Sequence, residues 1–171
     1  MAAFRSDART ALLPRFAPAL VLALLLAACG PTAGSDAGID VCDATSSAGM
    51  ELEVGAGESR FTAVREGEPL AIIHGPQGGA HLWTAVRVRG AIETTEIRLA
   101  VRSPDGTRQL GPLSFVIVTL GPEDPSGWRE RAGLFNFVDD PEAARGQSVA
   151  LWARVGDCSR AIEGQAVGVA E

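Results

Sequence analysis

The sequence predicts an all-β fold, an antiparallel β-sandwich of about seven to nine strands that follows an export segment and a tether. In several segments apolar and polar side chains alternate with a period of two residues, which is typical of strands with one buried face. Clusters of Gly, Pro, Asp and Ser separate these segments at short intervals, as turns between antiparallel strands require. Only residues 141–147 suggest a helical turn.

The N-terminus has the features of an export signal. Arginines precede a short apolar run at residues 17–28, as in secretory signal peptides. The run is too short for a membrane span, which needs about 20 apolar residues. It ends in Leu26-Ala27-Ala28-Cys29-Gly30, which closely resembles the lipobox of bacterial lipoproteins.

The lipobox resemblance implies that residues 1–28 are removed and that the Cys29 sulfur receives a diacylglyceryl group. Further acylation, for example with palmitate, follows in that family, and several acyl chains hold a protein stably at a membrane. Gly30 stands where some lipoproteins carry a retention-type Asp, which favours the outer membrane. Residues 29–41 then form a disordered tether, because their small polar composition cannot bury enough apolar area to order the chain.

The two remaining cysteines, Cys42 and Cys158, lie near the start and the end of the domain at 42–171. Outside the cytoplasm such a pair is expected to be oxidised. A disulfide between them closes a long loop and restricts the unfolded chain by about 4–5 kcal/mol in the entropy model. The alternative is two free thiols.

The predicted strands follow the alternating segments of the domain. Residues 113–120 are apolar at nearly every position, which predicts a central strand buried on both faces. The full set of predicted strands is 50–54, 60–64, 69–74, 81–90, 94–103, 112–120, 130–138, 148–156 and 160–169.

The last strands carry a second resemblance. Residues 149–161, a strand followed by an Asp-containing turn and a final strand, resemble the closing hairpin of bacterial immunoglobulin-like domains. Cys158 stands where those turns usually carry Asn or Gly. The resemblance implies an immunoglobulin-like sandwich and nothing about function.

The loop at residues 74–81, His-Gly-Pro-Gln-Gly-Gly-Ala-His, contains both histidines of the chain. If successive strands alternate in direction, this loop lies at the same end as the turns at 103–106 and 139–147. The Cys158 turn and the tether then lie at the opposite end, so the loop faces away from the membrane. The candidate binding residues of the loop are His74, Gln77, Gly78, Gly79 and His81.

The same loop also permits a metal site. If the flanking strands pair as a hairpin, His74 and His81 can approach each other, with Asp139 and Asp140 at the same end. Two imidazoles with carboxylates suit zinc or copper, although the spacing of the histidines matches no known metal motif. The alternative is structural, because the glycines permit positive φ angles and the polar side chains satisfy loop backbone groups.

Composition and motifs limit the possible functions. The net charge of −6 without a basic cluster disfavours a nucleic-acid partner. The sequence shows no nucleophile accompanied by a base and an orienting group, so no enzymatic role is predicted. The resulting hypothesis is a non-enzymatic binding or structural module, anchored to the membrane through Cys29, with an envelope protein or glycan as partner. The alternative is a periplasmic or surface metal-binding protein for copper or zinc that uses His74 and His81.

Replacing the predicted lipid site tests the localisation. We expect Cys29→Ser to abolish incorporation of labelled palmitate and to move the chain from the membrane fraction to the soluble fraction, because the thioether requires the cysteine sulfur. Cys158→Ser is the matched control and should keep the label. Palmitate incorporation that survives Cys29→Ser would contradict the prediction.

Overall fold

A computed structural model describes residues 46–171, which belong to one compact unit. The lipobox, the tether and Cys42 lie outside these residues, so the predictions made for them stay predictions. Within residues 46–171, no helix has the length and apolar character needed to cross a membrane.

The prediction of an all-β fold is confirmed, and the described residues form ten strands and one short helix. The helix, α1, begins at Pro141, as the sequence suggested, and ends at Ala144. The strand number exceeds the predicted seven to nine. The strands are β1 (Glu51–Ala56), β2 (Thr62–Ala63), β3 (Pro69–Leu70), β4 (Ile72–His74), β5 (Ala80–Arg89), β6 (Thr94–Arg102), β7 (Ser114–Thr119), β8 (Trp128–Val138), β9 (Ser148–Gly156) and β10 (Ala161–Ala170).

The strands form two five-stranded sheets. In the first, sheet A, β5 is central, with β1 and β4 along one side, β8 along the other, and β2 beyond β1. In the second, sheet B, the order is β3-β10-β9-β6-β7. All strand pairs are antiparallel except β3 with β10.

Side chains from both sheets form one hydrophobic core. Leu82 and Val88 of β5 and Leu99 and Leu151 of sheet B are at most 2% exposed and belong to one cluster. Burial of each such side chain stabilises the fold by about 1.5–3 kcal/mol. The core therefore lies between the two sheets, and each sheet turns a second face outward.

The predicted single strand at 69–74 is wrong, because the chain changes sheets within it. β3 pairs in parallel with β10 in sheet B, whereas β4 pairs with β5 in sheet A. Pro69 has no N–H to donate, which restricts it to a strand edge. The Ile72 amide then donates to the carbonyl oxygen of Glu171 at 2.8 Å, so the crossing is tied to the chain end.

The prediction of a central strand at residues 113–120 is also wrong. β7 is the last strand of sheet B and pairs only with β6. Phe115 and Ile117 are 49% and 68% exposed. This mostly apolar segment therefore forms an edge strand, and three successive side chains in it, Phe115, Val116 and Ile117, are exposed.

The turn that carries Cys158 lies against the first described residues. The Ala161 amide donates to the carbonyl oxygen of Ser46 at 2.7 Å, and the Arg160 guanidinium donates to that of Ala48 at 3.4 Å. Cys158 does not carry a free thiol. The pairing with Cys42 stays a prediction, because Cys42 lies outside the described residues.

Gly111 provides a test of the backbone packing. An added Cβ would overlap the carbonyl oxygen of Phe137 and approach its carbonyl carbon within 2.7 Å. We expect Gly111→Ala to lower the free energy of unfolding of the full chain by about 1–3 kcal/mol, since backbone atoms cannot move aside cheaply. Gly79→Ala, where the added Cβ meets nothing within 4 Å, should change it by less than about 1 kcal/mol. Equal denaturant midpoints for the two variants would refute this account.

Candidate functional site

The outer face of sheet A carries a group of aromatic side chains. Along β5, Leu82 and Thr84 point into the core, so the alternation of the strand turns His81 and Trp83 outward. The register of β5 with β8 places Phe137 opposite His81, and Phe135 opposite Trp83. We call these four residues, His81, Trp83, Phe135 and Phe137, the aromatic patch.

The His81 ring is in contact with each of the other three rings of the aromatic patch. The His81 ring meets Trp83 and Phe135 edge to face, with centroids 4.8 and 4.7 Å apart. The rings of Phe135 and Phe137 lie nearly parallel at 6.2 Å. Edge-to-face and offset pairs contribute about 0.5–1.5 kcal/mol each beyond burial, so the patch is an ordered surface.

Exposure differs sharply within the aromatic patch. His81 is only 6% exposed, whereas Phe135 and Phe137 are 49% and 40% exposed. Trp83 is half-buried between them. The histidine is therefore the floor of the patch, and the two phenylalanines form its solvent-facing top. Adjoining exposed apolar side chains of this kind mark interaction surfaces more often than isolated ones do.

The imidazole of His81 is held in an apolar setting. Its Nε2 atom is buried and has no hydrogen-bond partner. Burial lowers the pKa of His81 below its usual value of 6.5, because desolvation disfavours the charged form. The ring is consequently neutral at neutral pH, with one unused hydrogen-bonding atom beneath the phenylalanines.

The remainder of the same face is charged and ion-paired. Arg87 lies 3.6 Å from Glu53 on the neighbouring β1, and Arg89 pairs with Glu51, which is also on β1. The Trp128 ring lies beside both guanidiniums, at 4.8 and 5.3 Å. The outer face of sheet A is thus aromatic towards one end of β5 and polar towards the other.

The candidate loop is closed by its own backbone. The Gly75 amide donates to the carbonyl oxygen of Gly79 at 2.7 Å, and the Gly78 amide to that of Gly75 at 3.0 Å. Gly78 has a φ of 85°, a conformation that glycine adopts readily. Gln77 and Gly79 are exposed at the tip. Two backbone hydrogen bonds and the positive φ of Gly78 therefore hold the loop in its turn.

The structure does not bring the two histidines together. The register pairs Ile73 with His81 and His74 with Ala80, so the two imidazoles project from opposite faces of the sheet. Asp140 accepts a hydrogen bond from the Ala143 amide at 2.9 Å as the N-cap of α1. Asp139 is exposed, and residues 46–171 contain no group of three or more possible metal ligands. The predicted metal cluster of His74, His81, Asp139 and Asp140 is not assembled.

Sequence reasoning singled out His81 but missed Phe135 and Phe137. Both phenylalanines alternate with buried Leu134 and Asn136 along β8, and this alternation was the available signal. Because phenylalanine is usually a core residue, the pattern alone did not show that the aromatic positions face outward. Comparisons with protein-family models, curated proteins and solved structures give no match.

The lowered pKa of His81 predicts a pH dependence of stability. In the unfolded chain the pKa of the imidazole is about 6.5, so between that pH and the lower folded pKa the unfolded state binds more protons. Stability should therefore be fully present above about pH 6.5 and be lost as the pH falls towards the folded pKa.

His81→Phe should remove this part of the acid destabilisation, since the variant has no proton to bind at this position. His74→Ala is the matched control, because it leaves the buried imidazole in place. The measurement is the denaturant midpoint of the full chain above and below about pH 6.5. If His81→Phe keeps the same dependence as the unmodified chain, the buried imidazole is not its source.

Proposed function

We propose that this chain is a lipid-anchored protein of the bacterial envelope with an immunoglobulin-like β-sandwich at residues 42–171. The domain acts as a non-enzymatic binding module, and the aromatic patch is its contact surface. The lipobox resemblance supports the anchor at Cys29. Two packed five-stranded sheets support the sandwich, and the closing-hairpin resemblance supports its immunoglobulin-like character.

One observation carries the binding role: a buried, unpartnered imidazole beneath two half-exposed phenylalanines. A buried polar atom without a partner costs about 1–3 kcal/mol, and such groups in native proteins call for an explanation. Exposed phenylalanines leave apolar area in water, and covering one fully gains about 1.5–3 kcal/mol. Neither feature stabilises the isolated fold, whereas a partner seated on the patch covers the exposed area of the two phenylalanines.

The surroundings of the patch favour a protein partner. Protein interfaces place aromatic anchors at the centre and charged residues at the rim. Here the aromatic patch borders the ion pairs of Arg87 with Glu53 and of Arg89 with Glu51. A glycan whose apolar face stacks on Phe135 and Phe137 would use the same rings without needing the charged rim.

The first described residues and the proposed contact surface lie at opposite ends of β5. Gly49, near the first described residues, is so close to Gly90 that a Cβ on Gly90 would overlap its backbone. The patch begins at His81, near the other end of this ten-residue strand. His81 precedes Gly90 by nine residues, which span about 30 Å in an extended strand. The described chain therefore enters the domain at the end of β5 that is remote from the aromatic patch.

Site-specific photo-crosslinking in intact cells tests the contact surface. We expect the photoreactive residue p-benzoylphenylalanine, placed at Phe137 of the full chain, to give a discrete adduct with one envelope protein. The control is the same residue at Ile92, which is 49% exposed against 40% for Phe137 but lies beyond the opposite end of β5. Phe135→Ser should reduce the Phe137 adduct about tenfold or more, because it removes an aromatic anchor.

Identical or absent adducts at positions 92 and 137 would refute the proposed surface. Retention of the full chain on isolated cell-wall glycan, lost in Phe135→Ser, would identify a glycan partner instead.

A further inference from the structure

A groove opens between β7, an edge strand of sheet B, and β8, an edge strand of sheet A. These strands are consecutive in the chain, but β7 pairs only with β6 and β8 only with β5. Backbone hydrogen bonds join the two strands only near their ends. The Gly121 amide, after β7, donates to the carbonyl oxygen of Glu130 at 2.9 Å, and the Asp139 amide, after β8, donates to the carbonyl oxygen of Leu110 at 3.0 Å. Between these two points the strands separate, and we call the gap the edge groove.

The edge groove is apolar and reaches the core. Its floor contains Leu99, Val118 and Leu134, which are 2%, 7% and 4% exposed. Its volume is about 280 Å³, just below the range of about 300–1,000 Å³ for small-molecule sites. The lining residues are Leu99, Ser114, Phe115, Val116, Val118, Arg131, Gly133, Leu134, Phe135 and Phe137.

Two polar groups in the groove wall lack partners. The Ser114 Oγ atom is buried and makes no hydrogen bond. Arg131 is exposed, and no carboxylate within residues 46–171 pairs with it, whereas Arg87 and Arg129 pair with Glu53 and Glu123. Arg131 also borders a more polar cleft of about 560 Å³ that contains those two paired arginines. An unneutralised cation therefore stands where the apolar groove meets the polar cleft.

We propose that the edge groove binds a single-chain anionic amphiphile, a fatty-acid carboxylate. The acyl tail lies between β7 and β8 against Leu99 and Val118. The carboxylate pairs with the guanidinium of Arg131, a charge-assisted contact of the stronger kind. This site does not depend on a partner at the aromatic patch, although Phe135 and Phe137 contribute to both.

The shape of the groove favours an acyl chain over an added peptide strand. A peptide that paired along all six residues of β7 would extend about 20 Å. The hydrogen bonds at Gly121 and at Asp139 close the groove at both ends, which leaves no path for the peptide to continue. A short flexible tail needs no such path and fits a volume of about 280 Å³.

Photolabelling of the full chain tests the tail position. The probe is dodecanoate with a diazirine on its tail, and excess dodecanoate should compete with it. We expect adducts within residues 114–118 and 131–137. Val116→Asp, which places a carboxylate in the wall, should reduce labelling about tenfold or more. Ile117→Asp is the matched control, because Ile117 is the next residue, is 68% exposed and does not line the groove.

A second variant tests the head group. Arg131→Gln should reduce labelling by the carboxylate probe about tenfold and leave labelling by the corresponding neutral alcohol unchanged. Because Arg131 is exposed, this variant should fold even if Val116→Asp does not. Labelling that is spread over the chain, or that neither variant changes, would overturn the proposal. Competition by an apolar peptide but not by dodecanoate would also overturn it and would indicate a strand-binding groove.

The two proposals can fail independently. Loss of fatty-acid labelling with retained crosslinking at Phe137 would reject the edge groove alone, and the reverse result would reject the aromatic patch alone.

Discussion

The pairing of β5 with strands on both of its sides is the constraint on which the rest of the structure depends. Its register with β8 and β4 decides that Leu82 enters the core while His81 faces outward. Because side chains alternate along a strand, a slip of one residue would exchange the two faces. Such a slip would expose Leu82 and bury Trp83, so the hydrophobic core and the aromatic patch are set by the same hydrogen bonds.

A bulge in β8 gives that strand two different surfaces. Between the pairs Thr84 with Leu134 and Val86 with Arg131, β8 contains one residue more than β5. Gly133 occupies the bulge with a φ of 70°, and its amide donates to Gly57 at 3.0 Å. A side chain there would approach the carbonyl oxygen of Glu58 within 2.7 Å, so glycine is required. A bulge changes the direction in which the neighbouring side chains point. This bulge turns Arg131 towards the edge groove, while Phe135 and Phe137 remain on the outer face.

The two proposed sites have a common physical origin in incomplete closure of the sheets. β7 and β8 each leave one edge without a strand partner, and unpaired apolar edges are a liability that proteins usually cover. Phe135 lies at this edge and contributes to both surfaces, lining the groove and packing 4.7 Å from the ring of His81. The least protected part of the fold is therefore also the part with the most exposed aromatic area.

The sequence by itself determined the features that depend on neighbours in the chain. Alternation with a period of two located β6 and β9 to within one residue, because each strand shows its two faces locally. The lipobox resemblance likewise rests on adjacent residues. Tertiary structure decided which strands became edges. The sequence of an apolar segment such as 113–120 does not show whether the strand pairs with one neighbouring strand or with two. It also decided the faces of His74 and His81: the five-residue loop pairs His74 with Ala80, whereas one more loop residue would pair the histidines with each other. That choice depends on the strands packed around the hairpin, which no local pattern records.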